Sequence, residues 1–447
     1  MDQEAYDQWL SDMVAIRRAI HSYPEPGWME YRAAAFVAER LTQLGFEVVT
    51  GRQACLSEAR MGVPHADEIS LHEEMALNEG VNPYWLEQMR GGHTAVVGII
   101  RGSKPGPIVA LRFDMDCVEV GESQDPAHAP VKMGYRSRRQ GLMHACGHDG
   151  HIAIGVGTAV QIAERIEELT GEIRLLFQPA EEGCRGAKAM IEAGWLDDVD
   201  YFFGGHIGLK SRTLGEVVAS SSGFLSTTKL DVVFRGKAAH AGESPELGRN
   251  ALLAACSASL HLHSISRHSG GATRIHVGQL VAGTGRNVIA EEAHMKLETR
   301  GVTEELNAFM LTEAVRILEG TANVYGVVCQ REMVGSGVSA EADTALIPWI
   351  QRECERINRI HTVIPTLAMG VSEDASLMLR KVKERGGKAA YLMFGSPLTQ
   401  GHHQPCFDFD EEVLGIAAEL LIQLVFACPE WTVDKEDLIR TTDGDGG

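Results

Sequence analysis

The residues with the most evident chemistry are a thiol, three imidazoles and a carboxylate, which surround two glycines in segment 143–151. Cys146 and His148 stand two positions apart on a tight glycine-bearing turn, so both side chains can point at one metal site. Thiolates and imidazoles are ligands that borderline-soft metals such as Zn select. An amphipathic helix is predicted directly after the turn, which places the pair at a loop-to-helix junction. Two ligands do not complete a metal site, so the rest of the chain must supply the others.

More candidate ligands follow predicted strands. Glu181 and Glu182 come directly after a buried strand, where two carboxylates are costly unless they are charge-paired or metal-bound. Because adjacent side chains diverge, one can bind a metal while the other faces a bound water. His206 ends the next strand, and the pair His402 and His403 follows a late strand. All of these residues lie at the sheet end where ligand sites of α/β proteins form.

Each of these motifs alone is more often structural, as a solvated acidic face, a packed histidine or a polar loop. Their recurrence after strands of one predicted sheet favours a shared metal site. One cysteine, three histidines and a glutamate are enough for two metals that share a bridging group. Two metals about 3.5–4 Å apart can polarise a carbonyl, and metal binding can bring the pKa of a water near 7.

The elements that position these residues alternate between strand and helix, which predicts a mixed or parallel sheet with helices on both faces. The predicted strands are 46–49, 94–100, 108–114, 172–177, 201–205 and 389–394. The predicted helices are 31–44, 151–168, 186–194, 342–358, 372–385 and 411–426. Segment 52–92 has no strong strand signal and is predicted to be a partly helical insertion over the surface.

The pattern changes near Ser220. The elements predicted next are strand 229–234, helix 250–265, strands 274–281 and 293–299, helix 304–319 and strand 325–331. The order β-α-β-β-α-β is that of a ferredoxin-like split βαβ unit. We therefore expect a catalytic domain over 1–220 and 335–430, an inserted lid or dimerisation domain over 221–334, and a flexible tail over 431–447.

Bulk properties exclude several classes of function. A chain of 447 residues with 44% hydrophobic residues exceeds what one core usually covers. The net charge of −20 argues against nucleic acid or an anionic membrane as partner. The acidic start lacks the features of a signal peptide, and no apolar run reaches the roughly 18 residues of a membrane span. Nine scattered cysteines suit free thiols in a reducing cytosol, so we expect a cytoplasmic protein.

The chain resembles peptidase family M20, and within it the aminoacylase-like subfamily D, as far as about residue 428. The segments that carry the resemblance are Arg17-Arg18, His21, Pro24-Glu25, 112–116 (RFDMD), 146–151 (CGHDGH), 178–183 (QPAEEG), 238–242 (AAHAG), 285–289 (GRNVI), and His403 before Phe407-Asp408. The resemblance implies a mixed-sheet metallopeptidase catalytic domain with an inserted ferredoxin-like lid. Generic members of the subfamily lack the 52–92 insertion.

The resemblance also implies roles for the metal site. The implied ligands of two divalent ions are Cys146, His148, Glu182, His206 and His403. The thiolate stands where other branches of the family use a bridging aspartate, and the ions are Mn or Zn, or else Co. Glu181 is the implied general base. His402 competes with His403, which is preferred because the family pattern sets the ligand two residues before Pro405.

Further residues have implied roles around the metals. Asp114 matches the catalytic aspartate of the wider family, but Arg112 replaces the histidine of that motif, so Asp114 is expected to support the ligands. The histidine matching His240 reaches the site of a partner subunit in other members and polarises the scissile carbonyl. Asn287 and Arg300 are candidates for binding the substrate carbonyl or carboxylate, although such residues equally often only tie down turns.

The expected reaction is hydrolysis of the amide between an aromatic acyl group and an amino acid, with p-aminobenzoyl-glutamate as the first candidate substrate. Alternative substrates are hippurate-like, indoleacetyl-amino acid and N-acetyl compounds. Alternative functions are a cysteine amidase with Cys146 as nucleophile and a non-catalytic partner subunit. The expected assembly is a homodimer through the lid domain, or else a pair with a homologous second subunit.

Overall fold

The computed structural model describes residues 2–442, with side chains described through residue 428. Its α-helices are α1 Gln3–His21, α2 Tyr31–Gln43, α3 Ala66–Asn78, α4 Pro83–Gln88, α5 Ala129–Met133, α6 His148–Glu164, α7 Ala187–Glu192, α8 Ala251–His263, α9 Glu304–Tyr325, α10 Ile347–Cys354, α11 Ala375–Glu384 and α12 Glu412–Thr442. Its strands are β1 Glu47–Thr50, β2 Val96–Arg101, β3 Lys104–Asp114, β4 Thr170–Gln178, β5 Tyr201–Ile207, β6 Glu216–Ser222, β7 Ser226–Arg235, β8 Thr273–Ala282, β9 Glu292–Gly301, β10 Val328–Gly337, β11 Thr362–Ala368 and β12 Lys388–Phe394. These strands form two separate sheets.

The larger sheet has eight strands in the order β1-β2-β4-β3-β5-β12-β6-β11. The central strands β4, β3, β5 and β12 run parallel to one another, and β2 and β6 flank them in the antiparallel direction. Side chains of α1, α6 and α12 pack on one face of this sheet, and those of α7 and α11 pack on the other. The predicted mixed sheet with helices on both faces is therefore confirmed.

Parallel central strands bring their carboxyl ends to one edge of the sheet. β3 ends at Asp114, β4 at Gln178, β5 at Ile207 and β12 at Phe394. Asp114 and His206 lie at two of these ends, and the connections that follow the strands carry Cys146, His148, Glu181, Glu182 and His403. The strand arrangement thus gathers residues that are far apart in sequence.

Two strands of the larger sheet are absent from the sequence-based prediction. β6 ends in three serines, and such a polar segment indicates a boundary between domains rather than a strand. β11 contains Pro365, which usually argues against a strand. Because β11 lies at the sheet edge and pairs with only β6, the missing N–H of the proline is tolerated there.

The second domain follows β6 and has the predicted element order, with β7, α8, β8, β9, α9 and β10. Its four strands form an antiparallel sheet in the order β10-β7-β9-β8. Apolar residues of α8 and α9 pack on one face of this sheet and form a separate core. The other face carries charged side chains at alternate positions of β7 and β9.

The boundary between α9 and β10 differs from the prediction. The helix continues to Tyr325 rather than ending at Glu319, and Gly326 ends it with a left-handed backbone at φ +63°. The N–H of Gly326 bonds back to the carbonyls of Ala322 and Asn323, which is a common helix C-cap. The strand predicted at 325–331 consequently lies at Val328–Gly337.

Segment 52–92 is partly helical, as predicted, but it does not only cover the surface. α3 and α4 contribute Ile69, Ala76 and Leu86 to the main core. Ala54 and Cys55 are buried in the core on the other face of the sheet. The insertion is therefore part of the packing on both faces of the larger sheet.

The last helix extends well beyond its predicted end at Phe426. α12 continues to Thr442, so the tail predicted to be flexible over 431–447 is helical as far as that residue. Residues 443–447 lie outside the described part of the chain. None of the described helices combines the length and the apolarity that a membrane crossing requires.

Candidate metal centre

The first group of donors surrounds the start of α6. The ligand atoms of Cys146, His148 and His206 lie within 4.8 Å of one another, and all three residues are buried. The Cys146 Sγ atom is 3.5 Å from the His206 Nε2 atom. Gly147 precedes the helix with φ +95°, a left-handed conformation that a glycine adopts without strain. This turn directs both Cys146 and His148 toward the end of β5.

A second group of donors adjoins the first. The ligand atoms of Cys146, Glu182 and His403 also lie within 4.8 Å of one another. The His403 Nε2 atom is 3.1 Å from a Glu182 carboxylate oxygen. Cys146 belongs to both groups, so its Sγ atom lies where the two sets of donors meet.

The histidine tautomers leave a ring nitrogen free for a ligand. The Nδ1 of His148 lies 2.8 Å from the Asp116 carbonyl oxygen, and the Nδ1 of His206 lies 2.8 Å from the Ile207 carbonyl oxygen. Carbonyl oxygens only accept, so each Nδ1 carries a proton and each Nε2 is the ring nitrogen that a ligand can use. The His148 Nε2 atom is buried without a hydrogen-bond partner. A buried nitrogen of this kind is costly unless it is bound, so the donor set fits a divalent metal.

The electrostatics of the site also favour a cation. Burial opposes protonation of His148, but the carboxylates of Asp114 and Asp116 outweigh it and raise its pKa to about 10. Burial, together with the Glu182 and Glu181 carboxylates, raises the pKa of the Cys146 thiol well above its usual range. A nucleophilic cysteine requires the opposite shift. Without a bound cation, this environment therefore disfavours a thiolate at Cys146, and with it a free cysteine nucleophile.

Glu181 lies beside Glu182 and the other donors, since the ligand atoms of His148, Glu181 and Glu182 also lie within 4.8 Å of one another. Its carboxylate lies 4.0 Å from the His148 Nε2 atom and groups with the carboxylates of Glu373 and Asp374. Burial, with Glu373 nearby, raises the pKa of Glu181 well above its usual range. A carboxyl group with a raised pKa binds a proton more strongly than an exposed glutamate does, which suits a group that must take up a proton during the reaction.

Asp116 holds the loop that carries the two glutamates. Its carboxylate accepts the backbone N–H groups of Glu181 and Glu182 at 3.0 and 2.9 Å. Glu30 accepts the N–H of Ala180 at 2.8 Å, where the backbone is left-handed at φ +52°. Neither supporting role was predicted, although Asp116 lies in the motif that carries the family resemblance.

Asp114 has the supporting position that its motif implies. One carboxylate oxygen lies 2.5 Å from His151 Nδ1, and the other accepts a hydrogen bond from Arg112 at 2.6 Å. The same Arg112 guanidinium binds Glu373 and Asp374 at 2.9 and 3.1 Å. His151 Nε2 accepts the N–H of Ile207, so both of its ring nitrogens are engaged within the protein.

His402 adjoins the donors but belongs to none of the groups of ligand atoms. Its Nε2 atom lies 3.3 Å from the Ile207 carbonyl oxygen, and its ring packs against those of His206 and Phe407. Burial lowers its pKa to about 4. His403 instead faces Glu182, with its backbone N–H bonded to the Ala145 carbonyl at 2.8 Å. The geometry favours His403 over His402 as a ligand.

The candidate lid residues divide into two sets. Arg300 borders the cavity of about 450 Å³ that also contains Cys146, Glu181 and His403. His240 and Asn287 are exposed on neighbouring loops of the second domain and do not line this cavity. The structure thus brings one of the three to the metal centre of its own chain.

Comparison with known proteins agrees with this site. The sequence model of peptidase family M20/M25/M40 matches residues 110–427. The chain belongs to this peptidase family. Its site is therefore that of an M20 hydrolase.

Relatives within the M20 family are similar over nearly the whole chain. The indole-3-acetyl-aspartic acid hydrolase of Enterobacter agglomerans is 44% identical, over 93% of this chain and 95% of its own length. One subunit of the p-aminobenzoyl-glutamate hydrolase of Escherichia coli is 43% identical, with the same coverage of both chains. The crystal structure of an aminobenzoyl-glutamate utilization protein from Klebsiella pneumoniae covers 95% of this chain and 97% of its own, at 36% identity and a TM-score of 0.81. The resemblance read from the sequence is confirmed, and the chain is a hydrolase of amide bonds.

Proposed function

We propose that this protein is a two-metal amidase that splits p-aminobenzoyl-glutamate into p-aminobenzoate and glutamate. The observation that carries the proposal is the place of Cys146 in two adjoining groups of donors. Two relatives are named for substrates in which an aromatic acyl group is joined to an acidic amino acid. The proposed substrate class is therefore an aromatic N-acyl derivative of glutamate or aspartate.

The proposed ligands are those that the sequence predicts. They are Cys146, His148, Glu182, His206 and His403. Mn and Zn both suit this mixture of sulfur, nitrogen and oxygen donors, as does Co. When bound, two such ions polarise a substrate carbonyl and lower the pKa of a water.

Glu181 is the proposed general base. It removes a proton from the attacking water and delivers that proton to the leaving nitrogen of the amide. Of the two adjacent carboxylates, Glu182 is the one that lies 3.1 Å from His403, so we assign the ligand role to Glu182 and the base to Glu181. Asp114 and Asp116 keep the histidines and the glutamate loop in place.

The second domain is proposed to be a ferredoxin-like lid through which two chains pair. Its strand order, β10-β7-β9-β8, leaves β8 as an unpaired edge, and Leu260 and Val324 are exposed on its helices. His240 Nδ1 accepts two backbone N–H groups, from Gly242 and Glu243, so its Nε2 carries a proton. We propose that this N–H donates a hydrogen bond to the substrate carbonyl in the partner's site. Asn287 and Arg300 are proposed to bind the substrate carbonyl or carboxylate.

Other assignments have less support. The relative named for indole-3-acetyl-aspartic acid keeps that compound as a second candidate substrate. A cysteine amidase conflicts with the raised pKa of Cys146. A purely non-catalytic role conflicts with a full donor set and an intact Glu181.

One relative is named as part of a hydrolase with more than one kind of chain, which keeps open a partnership with a homologous second subunit. Nine free cysteines suit the proposed cytoplasmic location.

The experiment that tests the proposal is a substrate panel on metal-reconstituted protein. The protein is stripped with a chelator, reloaded with Mn, Zn or Co, and assayed alone and with a homologous second subunit. We expect release of p-aminobenzoate from p-aminobenzoyl-glutamate, its loss on chelation, and its return with metal. Full activity in the stripped protein, or an acyl adduct on Cys146 in mass spectrometry, contradicts the two-metal mechanism.

A further inference from the structure

A second cavity lies beside the metal centre. It has a volume of about 410 Å³ and shares Glu182, Gly183 and Lys229 with the cavity that contains the donors. The glutamate loop, the insertion and the helix-free face of the second domain's sheet form its walls. A ligand whose amide lies at the donors can therefore extend one end into this space.

Arg185 is the cation that the catalytic domain contributes to this cavity. Its Nε donates to the Glu182 carbonyl at 2.8 Å, and its Nη1 donates to the Gly62 carbonyl at 3.2 Å. It makes no ion pair with any residue in the described part of the chain. A half-buried guanidinium bound only by carbonyls keeps donors and a full charge available for an anion.

The insertion is what brings Arg185 to this position. A side chain at Gly62 would collide with Arg185 and with the backbone of Val334 on β10, and its φ of +54° also favours glycine. Gly62 therefore permits a close approach of the insertion, the glutamate loop and the second domain. This contact gives the 52–92 segment a definite place at the wall of the cavity.

The second domain contributes Lys229 and Lys296. Lys229 bonds to Glu298 at 2.7 Å, and Arg300 bonds to the same carboxylate at 2.9 Å, so two cations share one anion. Lys296 is exposed and makes no ion pair with a described residue, although Asp231 lies opposite it on the neighbouring strand. Four carboxylates also line the cavity, from Glu119, Glu182, Asp231 and Glu298, so its walls have no excess of positive charge. The relevant feature is the placement of Arg185 and Lys296, which form no ion pair with a described residue.

We propose that this cavity is the subsite for the side-chain carboxylate of an acidic amino acid, with Arg185 and Lys296 as its direct partners and Lys229 beside them. The inference rests on the proposed amidase function and adds the residues that select the amino-acid half of the substrate. A chain with a net charge of −20 repels a dianionic substrate unless local cations offset that repulsion. A site built to bind a charged group discriminates against a neutral isostere, because its own cations then stay unpaired.

The test compares p-aminobenzoyl-glutamate with p-aminobenzoyl-glutamine, which has the same shape without the charge. The metal-loaded wild type is assayed beside Lys296→Met and Arg185→Met. Lys188→Met is the matched control, because it removes one exposed positive charge on α7 outside both cavities. We expect the wild type to prefer glutamate by at least about tenfold in kcat/KM. Lys296→Met should reduce that preference about tenfold by lowering kcat/KM for the glutamate substrate and leaving kcat/KM for the glutamine substrate unchanged. The Lys188→Met control should keep the wild-type preference.

The outcomes separate the subsite from the function. Equal use of glutamate and glutamine by the wild type overturns the subsite while leaving the amidase intact, as does a preference that survives in both variants. Arg185→Met could bind less metal, because Arg185 contacts the Glu182 carbonyl. In that case the result for Lys296→Met alone decides whether the subsite exists. If another acyl group is turned over instead, the comparison is repeated with that acyl group. Failure to hydrolyse any N-acyl amino acid overturns the proposed function and the subsite with it.

Discussion

The metal centre and the second domain differ in how completely one chain builds them. At the metal centre, His148, His206 and Glu182 are each positioned by a partner from the same chain, and the donors are mostly buried. In the second domain, His240 and Asn287 are exposed and do not reach the cavity that holds the donors. One chain thus supplies the donors and the base but leaves the candidate carbonyl donor on a surface.

This contrast separates metal binding from substrate activation. Changes at the metal centre should act within the chain that carries them. Changes at His240 should act on a neighbouring chain, or after movement of the second domain. Mutations on the two sides therefore have different signatures in metal content and in mixing experiments.

The largest effect on turnover is expected at Glu181. Glu181→Gln removes the proposed base and should lower kcat by about 10²–10⁴-fold while metal content stays near wild type. Glu182→Gln is the matched control, since the same change at the adjacent residue should first cause metal loss, measured by elemental analysis. Metal loss in Glu181→Gln with metal retained in Glu182→Gln would reverse the two roles.

The next effect concerns the second domain. His240→Ala should lower kcat by about 10²–10³-fold without changing metal content, as expected for loss of one donor to a developing oxyanion.

Mixing distinguishes action in trans from action in cis. Glu181→Gln and His240→Ala chains are each nearly inactive alone. A hybrid dimer contains one site with both groups intact if His240 acts across the interface, so the mixed sample should recover measurable activity. No recovery in a sample shown to contain hybrids would place His240 at the site of its own chain.

A smaller effect distinguishes the two adjacent histidines after β12. His403→Ala should bind one ion fewer and lose most activity. His402→Ala should retain both ions and lose no more than about tenfold in kcat/KM, because His402 packs against His206 and bonds to the Ile207 carbonyl. Metal titration of both variants checks this order, and the reverse result would make His402 the ligand.

The smallest effect on turnover, and a clear one on stability, is expected at His21. Burial opposes its protonation, but hydrogen bonds to Asp149 and Glu122 outweigh burial and raise its pKa from 6.5 to about 9. Protonated His21 therefore stabilises the fold by up to about 3 kcal/mol. This stabilisation is complete below about pH 6.5 and is lost as the pH rises through about 9. Urea unfolding of the wild type should weaken over this window, whereas His21→Gln should show a flatter profile. Parallel profiles would exclude the His21 ion pairs as the cause.

The sequence predicted more of the metal centre than of its surroundings. Cys146, His148, His206 and Glu182 could be found because each lies in a glycine turn, at the end of a strand or shortly after one, within a distinctive residue pattern. Arg112, with bonds to Asp114, Glu373 and Asp374, could not be assigned this role, because its partners are up to 262 positions away. Local patterns identify donors, whereas long-range ion pairs depend on the completed fold.

The fold shows the same division. The alternation of apolar strands and helices was sufficient for the central sheet and for the order of the second domain. The edge strand β11 was missed because Pro365 is a local signal against a strand, and only its position at the edge makes it acceptable. The contact of Gly62 with Arg185 and β10 joins three separate segments, and no pattern within segment 52–92 indicates it.

The central claim is that Cys146 is shared by two ions, and the metal content of Cys146→Ala tests it most directly. Elemental analysis should find two ions per chain in the wild type, one in His206→Ala and close to none in Cys146→Ala. Loss of a single ion from Cys146→Ala would show that the thiolate serves only one site. Retention of both ions would contradict a ligand role for Cys146 altogether.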